Sequence, residues 1–119
     1  MAVPGRRRPL IRRALADRDV EEALGHYLAE SARAAVGFVK ALEQAYGHVR
    51  RAPDSGSPRW AHALDLAGLR AWPLKRYPYL VFYMVLPARI EVWRVLHMRR
   101  DIPAWLAEDE SAGPPPPTD

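Results

Sequence analysis

Two strand-like runs separated by a short turn constrain the fold more than any other feature of the sequence. Tyr79–Val85 reads YLVFYMV, and Ile90–His97 reads IEVWRVLH. Residues that are β-branched, aromatic or otherwise apolar fit the pleated surface of a buried sheet. Pro87, between the two runs, removes a backbone donor and marks a turn. The pattern predicts two successive strands, and the rest of the chain must cover the sheet that they form.

Two helical patterns precede these strands. The sequence Asp19-Val20-Glu21-Glu22 is interpreted as a capping box that opens the first helix, with Asp19 accepting from helix amides and Glu22 reaching back. Ser31 is predicted to cap the second helix. The apolar stripe of the second helix comprises Ala35, Phe38, Val39, Leu42, Ala45, Tyr46 and Val49. Because few residues separate the two helices, they should form an antiparallel hairpin.

Shorter segments complete the layout. Residues 10–15 (LIRRAL) suit a first strand at a sheet edge, and residues 69–74 (LRAWPL) suit a strand before Tyr79. Residues 59–68 form a link whose structure the sequence leaves open, and a short helical segment is expected around Trp105. The order β-α-α-β-β-β predicts an α+β fold in which a two-helix hairpin packs on a mainly antiparallel sheet.

The 119 residues are enough for one domain. We expect a flexible basic N-terminus over 1–9, a single domain over 10–106, and a disordered, acidic, Pro-rich tail over 107–119.

Composition excludes several classes of protein. The absence of Cys excludes disulfides, thiolate metal sites and a Cys nucleophile. No apolar run approaches the roughly 18 residues of a membrane span, and no apolar segment of a signal peptide follows the basic start. The predicted location is therefore the cytoplasm. His26, His48 and His62 lack the spacing of metal ligands, so we expect neither a metal nor a cofactor.

The net charge of +4 and the excess of Arg, sixteen against two Lys, indicate an acidic partner. Nucleic acid or an acidic protein would both satisfy this charge, although basic and acidic termini are often only solvated. No motif that reads nucleic acid accompanies the basic residues. Direct nucleic-acid binding is therefore the less favoured interpretation.

Over about residues 10–106 the sequence resembles the ParE/RelE toxin superfamily of bacterial type II toxin–antitoxin systems. The similar elements are Ala16 with Asp19-Val20, Ala35 with Phe38, Pro53 and Gly56 with Pro58-Arg59, Leu69-Arg70, Val81-Phe82-Tyr83, and residues 94–101 (RVLHMRRD). The C-terminal pattern is similar to the ParE branch. The resemblance implies a RelE/ParE-like fold and a toxin that inhibits DNA gyrase by binding and is neutralised by a ParD-like antitoxin. The alternative is a RelE-like mRNA interferase, an endoribonuclease that acts on the ribosome.

RNA cleavage would need a base, an acid and cations that stabilise the phosphorane. The candidates for such a reaction are His97, Arg70, Arg94 and Arg99. Several RNA-cutting relatives carry a Tyr where this chain has Met98, and some carry a Glu where it has Arg59. A thioether cannot transfer a proton, so we favour a binding inhibitor with no catalytic residues.

A binding surface needs less than a catalytic site, because Trp, Tyr and Arg suffice as interaction hot spots. The predicted residues for target or antitoxin binding are Arg70, Trp72, His97, Arg99, Arg100 and Trp105. An antitoxin is expected to lay an extended acidic or amphipathic segment along the helices and the sheet. Structural roles remain open as well: His97 as a hydrogen-bonding residue, Arg94 paired with Glu91 or another carboxylate, and Arg99-Arg100-Asp101 partly paired among themselves.

Overall fold

The computed structural model describes residues 8–100 and 102–110, without the side chains of 107–110. The described residues form four strands and four α-helices, which are joined by short connections. They are β1 (Leu10–Arg12), α1 (Ala14–Glu30), α2 (Ala32–Arg51), α3 (Arg59–Leu64), β2 (Leu69–Pro73), β3 (Tyr79–Val85), β4 (Ile90–His97) and α4 (Ile102–Glu110), with a 3₁₀ turn over Pro53–Ser55. The predicted bounds of β3 and β4 are confirmed at both ends, and β2 ends one residue earlier than predicted.

The sheet has the order β1-β4-β3-β2. The strands β2, β3 and β4 form an antiparallel meander, in which Tyr79 pairs with His97. The strand β1 joins the free side of β4 in parallel, and this pairing ends at Arg12 opposite Val92. The prediction of a mainly antiparallel sheet with a first strand at its edge is therefore confirmed.

Helices cover both faces of the sheet. The hairpin of α1 and α2 packs on one face around Phe38 and Val81, as the apolar stripe of the second helix predicts. The short helices α3 and α4 cover the other face, where Phe82, Leu96 and Leu106 are buried. The sequence predicted the helical segment that became α4 and left the structure of residues 59–68 open.

The predicted start of the first helix is wrong. Helix α1 begins at Ala14, five residues before the expected cap at Asp19, and no side chain caps it. The reason is the shortness of β1, because the Arg13 amide donates to the Val92 carbonyl at 2.9 Å and the chain turns directly into the helix. Asp19 consequently lies in the second turn on the buried side of α1. The Ser31 cap is confirmed, since its Oγ accepts from the Ala34 amide at 3.0 Å.

The boundary of the expected acidic tail also moves. Residues 107–110, assigned to the tail from their composition, continue α4 to Glu110. Residues 1–7, Asp101 and 111–119 lie outside the described part of the chain, and so do most of the predicted N-terminal segment and the rest of the tail. Among the described helices, none combines the length and the apolar character that a membrane span requires.

Candidate functional site

The sheet ends in a cationic turn that connects β4 to α4. The Arg99 amide donates to Nδ1 of His97 at 3.1 Å, and the Arg100 amide donates to the His97 carbonyl at 3.0 Å. These two bonds fold the chain back at the strand end and leave Arg99 and Arg100 exposed. We refer to His97, Arg99, Arg100 and Trp105 as the C-terminal rim.

Trp105 is placed on the rim by α4. The guanidinium carbon of Arg100 lies 4.5 Å from the centroid of a Trp105 ring, a distance typical of a cation–π contact. Such a contact is worth about 0.5–1 kcal/mol at an exposed site, enough to bias the orientation of Arg100. The rim therefore presents an oriented guanidinium beside an aromatic ring.

His97 is a neutral ring at neutral pH. Its pKa is lowered from the usual value near 6.5 by partial burial and then by the nearby positive charges of Arg99 and Arg100. Since Nδ1 accepts the Arg99 amide, the proton of the neutral ring lies on Nε2. The edge of the ring meets Tyr79 at a centroid distance of 5.1 Å. His97 thus supports the turn through its hydrogen bond.

A groove of about 250 Å³ lies beside the C-terminal rim. Helix α1 forms one wall with Glu22, Ala23 and His26, and the end of β4 forms the floor. Arg100 and Trp105 close the opposite wall. We call this space the α1–α4 groove. Its walls carry charges of both signs, with the positive charge on the rim side.

Arg94, one of the candidates for RNA cleavage, does not reach this surface. It is 1% exposed, and its Nε and Nη2 donate to the two carboxylate oxygens of Asp19 at 2.8 Å each. Its Nη1 donates to the Trp105 carbonyl at 2.8 Å. Arg94 therefore pairs with a carboxylate, as one alternative expected, but the partner is Asp19 rather than Glu91, which binds Arg89 at 2.7 Å.

Arg70 holds the loop that follows α2. Its Nη1 donates to the carbonyls of Asp54 and Gly56 at 3.0 and 2.7 Å. Arg70 lies opposite Tyr83 on β3, whereas His97 lies opposite Tyr79. Four residues of strand correspond to about 13 Å. The structure therefore places Arg70 away from the C-terminal rim.

Trp72 lies on β2, an outer strand of the sheet. The strand β3 separates it from β4, whose end forms the floor of the α1–α4 groove. The Trp72 ring stacks on the His48 imidazole at a centroid distance of 3.8 Å and an angle of 13°. Arg51 and Lys75 border the same depression. The six residues predicted for binding are thus divided: four form the C-terminal rim, and Arg70 and Trp72 lie elsewhere on β2.

The structural importance of Asp19 was missed from the sequence. The local pattern predicts a helix cap, but the Asp19 carboxylate binds Arg94 and also accepts a hydrogen bond from the Val95 amide at 3.0 Å. One signal could have revealed it: Ala16, Asp19 and Ala23 follow one another at helical spacing, which places all three on the buried stripe of α1. A carboxylate on such a stripe needs a buried cation as partner.

The fold and the rim define a small α+β protein whose sheet, covered by a helical hairpin, ends in exposed arginines. A family model described as the ParE toxin of the type II toxin–antitoxin system, parDE, matches residues 10–102. The chain belongs to this family of ParE toxins. The superfamily resemblance seen in the sequence is therefore confirmed.

Solved structures support the same fold. The chain is similar to a structure described as the chromosomal ParDE TA system from P. aeruginosa, with a TM-score of 0.66 and 18% sequence identity. The similarity covers 77% of this chain and 97% of that chain. No match was found among curated proteins.

Proposed function

We propose that this ParE toxin inhibits DNA gyrase by binding it, and that a ParD-like antitoxin neutralises it. Family membership makes the chain the toxin of a toxin–antitoxin pair. The gyrase target is inferred from the resemblance of the C-terminal pattern RVLHMRRD to the ParE branch. The contacts of Arg70 and Arg94 support a mode of action by binding.

The main support for binding rather than RNA cleavage is that two of the four candidates for RNA cleavage make structural contacts. Arg94 is enclosed in its pair with Asp19, and Arg70 donates to two loop carbonyls. Neither guanidinium is placed to stabilise a phosphorane at His97. The remaining candidates, His97 and Arg99, supply one ring and one charge, which is a sparse set for proton transfer in both directions.

The positions that distinguish RNA-cutting relatives support the same interpretation. Met98 is 44% exposed and carries a thioether, which transfers no proton. Arg59 carries a permanent charge and lies over the Trp60 ring at 4.7 Å. A general acid or base at either position is therefore missing.

The C-terminal rim has the chemistry of a protein-binding hot spot. Arg99 and Arg100 are exposed, and Trp105 provides a rigid apolar surface beside them. Arg and Trp are enriched among residues that dominate binding energy, because one forms forked hydrogen bonds and the other buries a large area. An acidic surface on the target is the complement of such a rim.

A second candidate, the RelE-like mRNA interferase, is favoured by one observation. The lowered pKa of His97 keeps its imidazole unprotonated at neutral pH, as a general base requires. In that mechanism the Arg99 amide would first have to release Nδ1, the one unprotonated ring nitrogen, so that His97 could take the proton of a ribose 2′-hydroxyl while the Arg99 guanidinium binds the phosphate.

Two assays with the purified protein separate the candidates. The first measures gyrase supercoiling and the accumulation of cleaved DNA complexes, and the second measures cleavage of mRNA on programmed ribosomes. We expect inhibition and cleaved complexes in the first assay and intact mRNA in the second. Cleaved mRNA with unaffected supercoiling, abolished by His97→Ala, would instead establish the interferase.

A further inference from the structure

The two outer edges of the sheet are protected differently. At the β2 edge, Ser57 and Ala71 exchange both amide–carbonyl bonds, at 2.8 and 3.0 Å, and Pro73 has no amide proton to offer. At the other edge, β1 covers β4 only as far as Val92. On this side, opposite β3, the remainder of β4 through His97 has no strand beside it among residues 8–100 and 102–110.

The hydrogen bonds fix which backbone groups of β4 face this open side. The Val95 amide donates to Asp19 on α1, away from β3, whereas the Met98 amide donates to Pro78 on the β3 side. Since successive residues of a strand alternate in direction, the amide and carbonyl groups of Val95 and His97 all face the α1–α4 groove.

Two of these four groups already have partners. Asp19 accepts from the Val95 amide, and the Arg100 amide donates to the His97 carbonyl. The Val95 carbonyl and the His97 amide remain directed at the groove. In a parallel pairing, one residue of an added strand would lie opposite Leu96. Its amide would donate to the Val95 carbonyl, and its carbonyl would accept from the His97 amide. A strand at this open position would therefore run parallel to β4, as β1 does.

The size of the groove limits what can occupy it. A volume of about 250 Å³ suits a short extended segment, whereas a helix with its side chains is about 10–12 Å across. On the α1 wall, the short side chain of Ala23 leaves room for a small or apolar side chain of that segment. The flat ring of Trp105 offers apolar contact on the opposite wall.

Charge determines which way a polar side chain of the occupant should face. The Asp19 carboxylate is neutralised by Arg94, while Glu22 adds a negative charge to the α1 wall. Arg100 supplies a positive charge on the rim wall, oriented by Trp105. A carboxylate of the occupant is therefore attracted to the rim wall and repelled by the α1 wall.

We propose that the α1–α4 groove binds an extended segment of the antitoxin, which adds a parallel β-bridge at Leu96. One residue of the segment donates its amide to the Val95 carbonyl and accepts from the His97 amide. A neighbouring carboxylate pairs with Arg100. The inference rests on the proposed function, because it takes the antitoxin as the occupant, and it specifies where and in which direction that antitoxin pairs.

The test uses the full chain and the protein encoded by the adjacent reading frame as the probe. His97→Pro removes the amide proton and the imidazole, whereas His97→Ala removes the imidazole alone. Because the His97 amide faces the groove, proline at this position breaks no bond to β3. We expect His97→Pro to bind the probe about tenfold more weakly than His97→Ala, the effect of one lost hydrogen bond.

A second variant pair tests the groove without altering the strand. Glu22→Trp fills the groove from an exposed position of α1, and Glu21→Trp places the same ring on the same helix outside it. We expect Glu22→Trp to weaken binding at least about tenfold and Glu21→Trp to leave it unchanged. Amide hydrogen exchange should show that the probe protects His97.

The outcomes distinguish the two proposals. A complex that tolerates His97→Pro and Glu22→Trp as well as their controls, with no protection of the His97 amide, overturns the β-bridge and leaves the proposed function intact. Failure of the wild-type chain to bind the probe overturns the antitoxin part of the proposed function, and the bridge with it. A melting curve of each variant confirms that the fold is retained, and the Glu22 pair decides the matter if His97→Pro unfolds.

Discussion

Arg94 and Asp19 form a buried, two-pronged ion pair that joins β4 to α1 at the point where β1 stops. Both N–O distances are 2.8 Å, and the side chains are only 2% and 7% exposed. The same carboxylate accepts the Val95 amide. Asp19 therefore replaces the missing strand neighbour of β4 and neutralises the one fully buried guanidinium of the described chain.

Removal of one partner should be severely destabilising. Asp19→Ala leaves the Arg94 charge buried without its carboxylate, which costs about 3–5 kcal/mol of unfolding free energy. The matched control is Asp17→Ala on the same helix, which breaks the half-exposed pair with Arg12 and costs at most about 1 kcal/mol. Urea unfolding measures both. Equal, small losses would show that the buried pair contributes no more than the surface pair.

The titration of His97 gives a second prediction. Burial lowers its pKa first, and the charges of Arg99 and Arg100 lower it further. The double variant Arg99→Ala/Arg100→Ala should therefore raise the pKa towards the ordinary value of about 6.5 without reaching it. NMR titration of the imidazole proton measures this. An unchanged pKa would mean that the two guanidinium groups do not act on the ring.

The same lowered pKa makes stability depend on pH. Between the folded pKa and the unfolded value of about 6.5, the unfolded chain binds more protons at His97 than the folded chain does. The contribution of His97 is complete above pH 6.5 and decreases as the pH falls through this window. The unfolding free energy of the wild type should consequently decrease relative to that of His97→Ala as the pH is lowered through this window. A difference that is constant with pH would contradict the assignment.

Toxicity should depend on the rim charges. Arg99→Ala/Arg100→Ala removes two exposed cations, and we expect loss of growth inhibition while the fold is retained, with a melting temperature lowered by at most a few degrees through loss of the contact between Arg100 and Trp105. The control is Arg33→Ala/Arg50→Ala, which removes two exposed cations from α2 and leaves the rim intact. Expression of each variant without antitoxin measures the effect. Full toxicity of the rim variant would exclude the rim from target binding.

Substitution of Gly56 tests the packing of the loop that Arg70 supports, and substitution of Gly25 in α1 is its control. A Cβ on Gly56 would overlap the Tyr83 hydroxyl, which accepts from the Gly56 amide and donates to the Pro53 carbonyl. Gly56→Ala should cost about 1–3 kcal/mol, since it disturbs both bonds. Gly25→Ala, in a helix with nothing within 4 Å of the added carbon, should stabilise by about 0.5–1 kcal/mol. Thermal or urea unfolding would show opposite signs, and equal signs would contradict the packing described.

The elements that could be predicted are those with a dense local signal. The runs YLVFYMV and IEVWRVLH define β3 and β4 to the residue, because composition and turn residues agree there. The start of α1 could not be predicted in the same way. It depends on how far β1 can follow β4, which is a tertiary constraint with no local pattern, and the acidic stretch at Asp19 imitated a cap.

The site was predictable to the extent that it is contiguous. His97, Arg99 and Arg100 adjoin in the sequence and remain adjacent in the structure. Arg70 and Arg94 were grouped with them by residue type, but type does not reveal which guanidinium is used by a loop carbonyl or a distant carboxylate. The α1 wall of the groove could not be predicted, because it depends on how the helix packs against β4.

The central claim, that the toxin binds its target rather than cutting RNA, is tested most directly by the stoichiometry of gyrase inhibition. A fixed amount of purified gyrase is titrated with the toxin, and residual supercoiling is followed over time. We predict that inhibition saturates near a whole-number ratio of toxin to gyrase and does not deepen on further incubation. No inhibition at large excess, or loss of activity that grows with time at a small fraction of the gyrase concentration, would contradict the account.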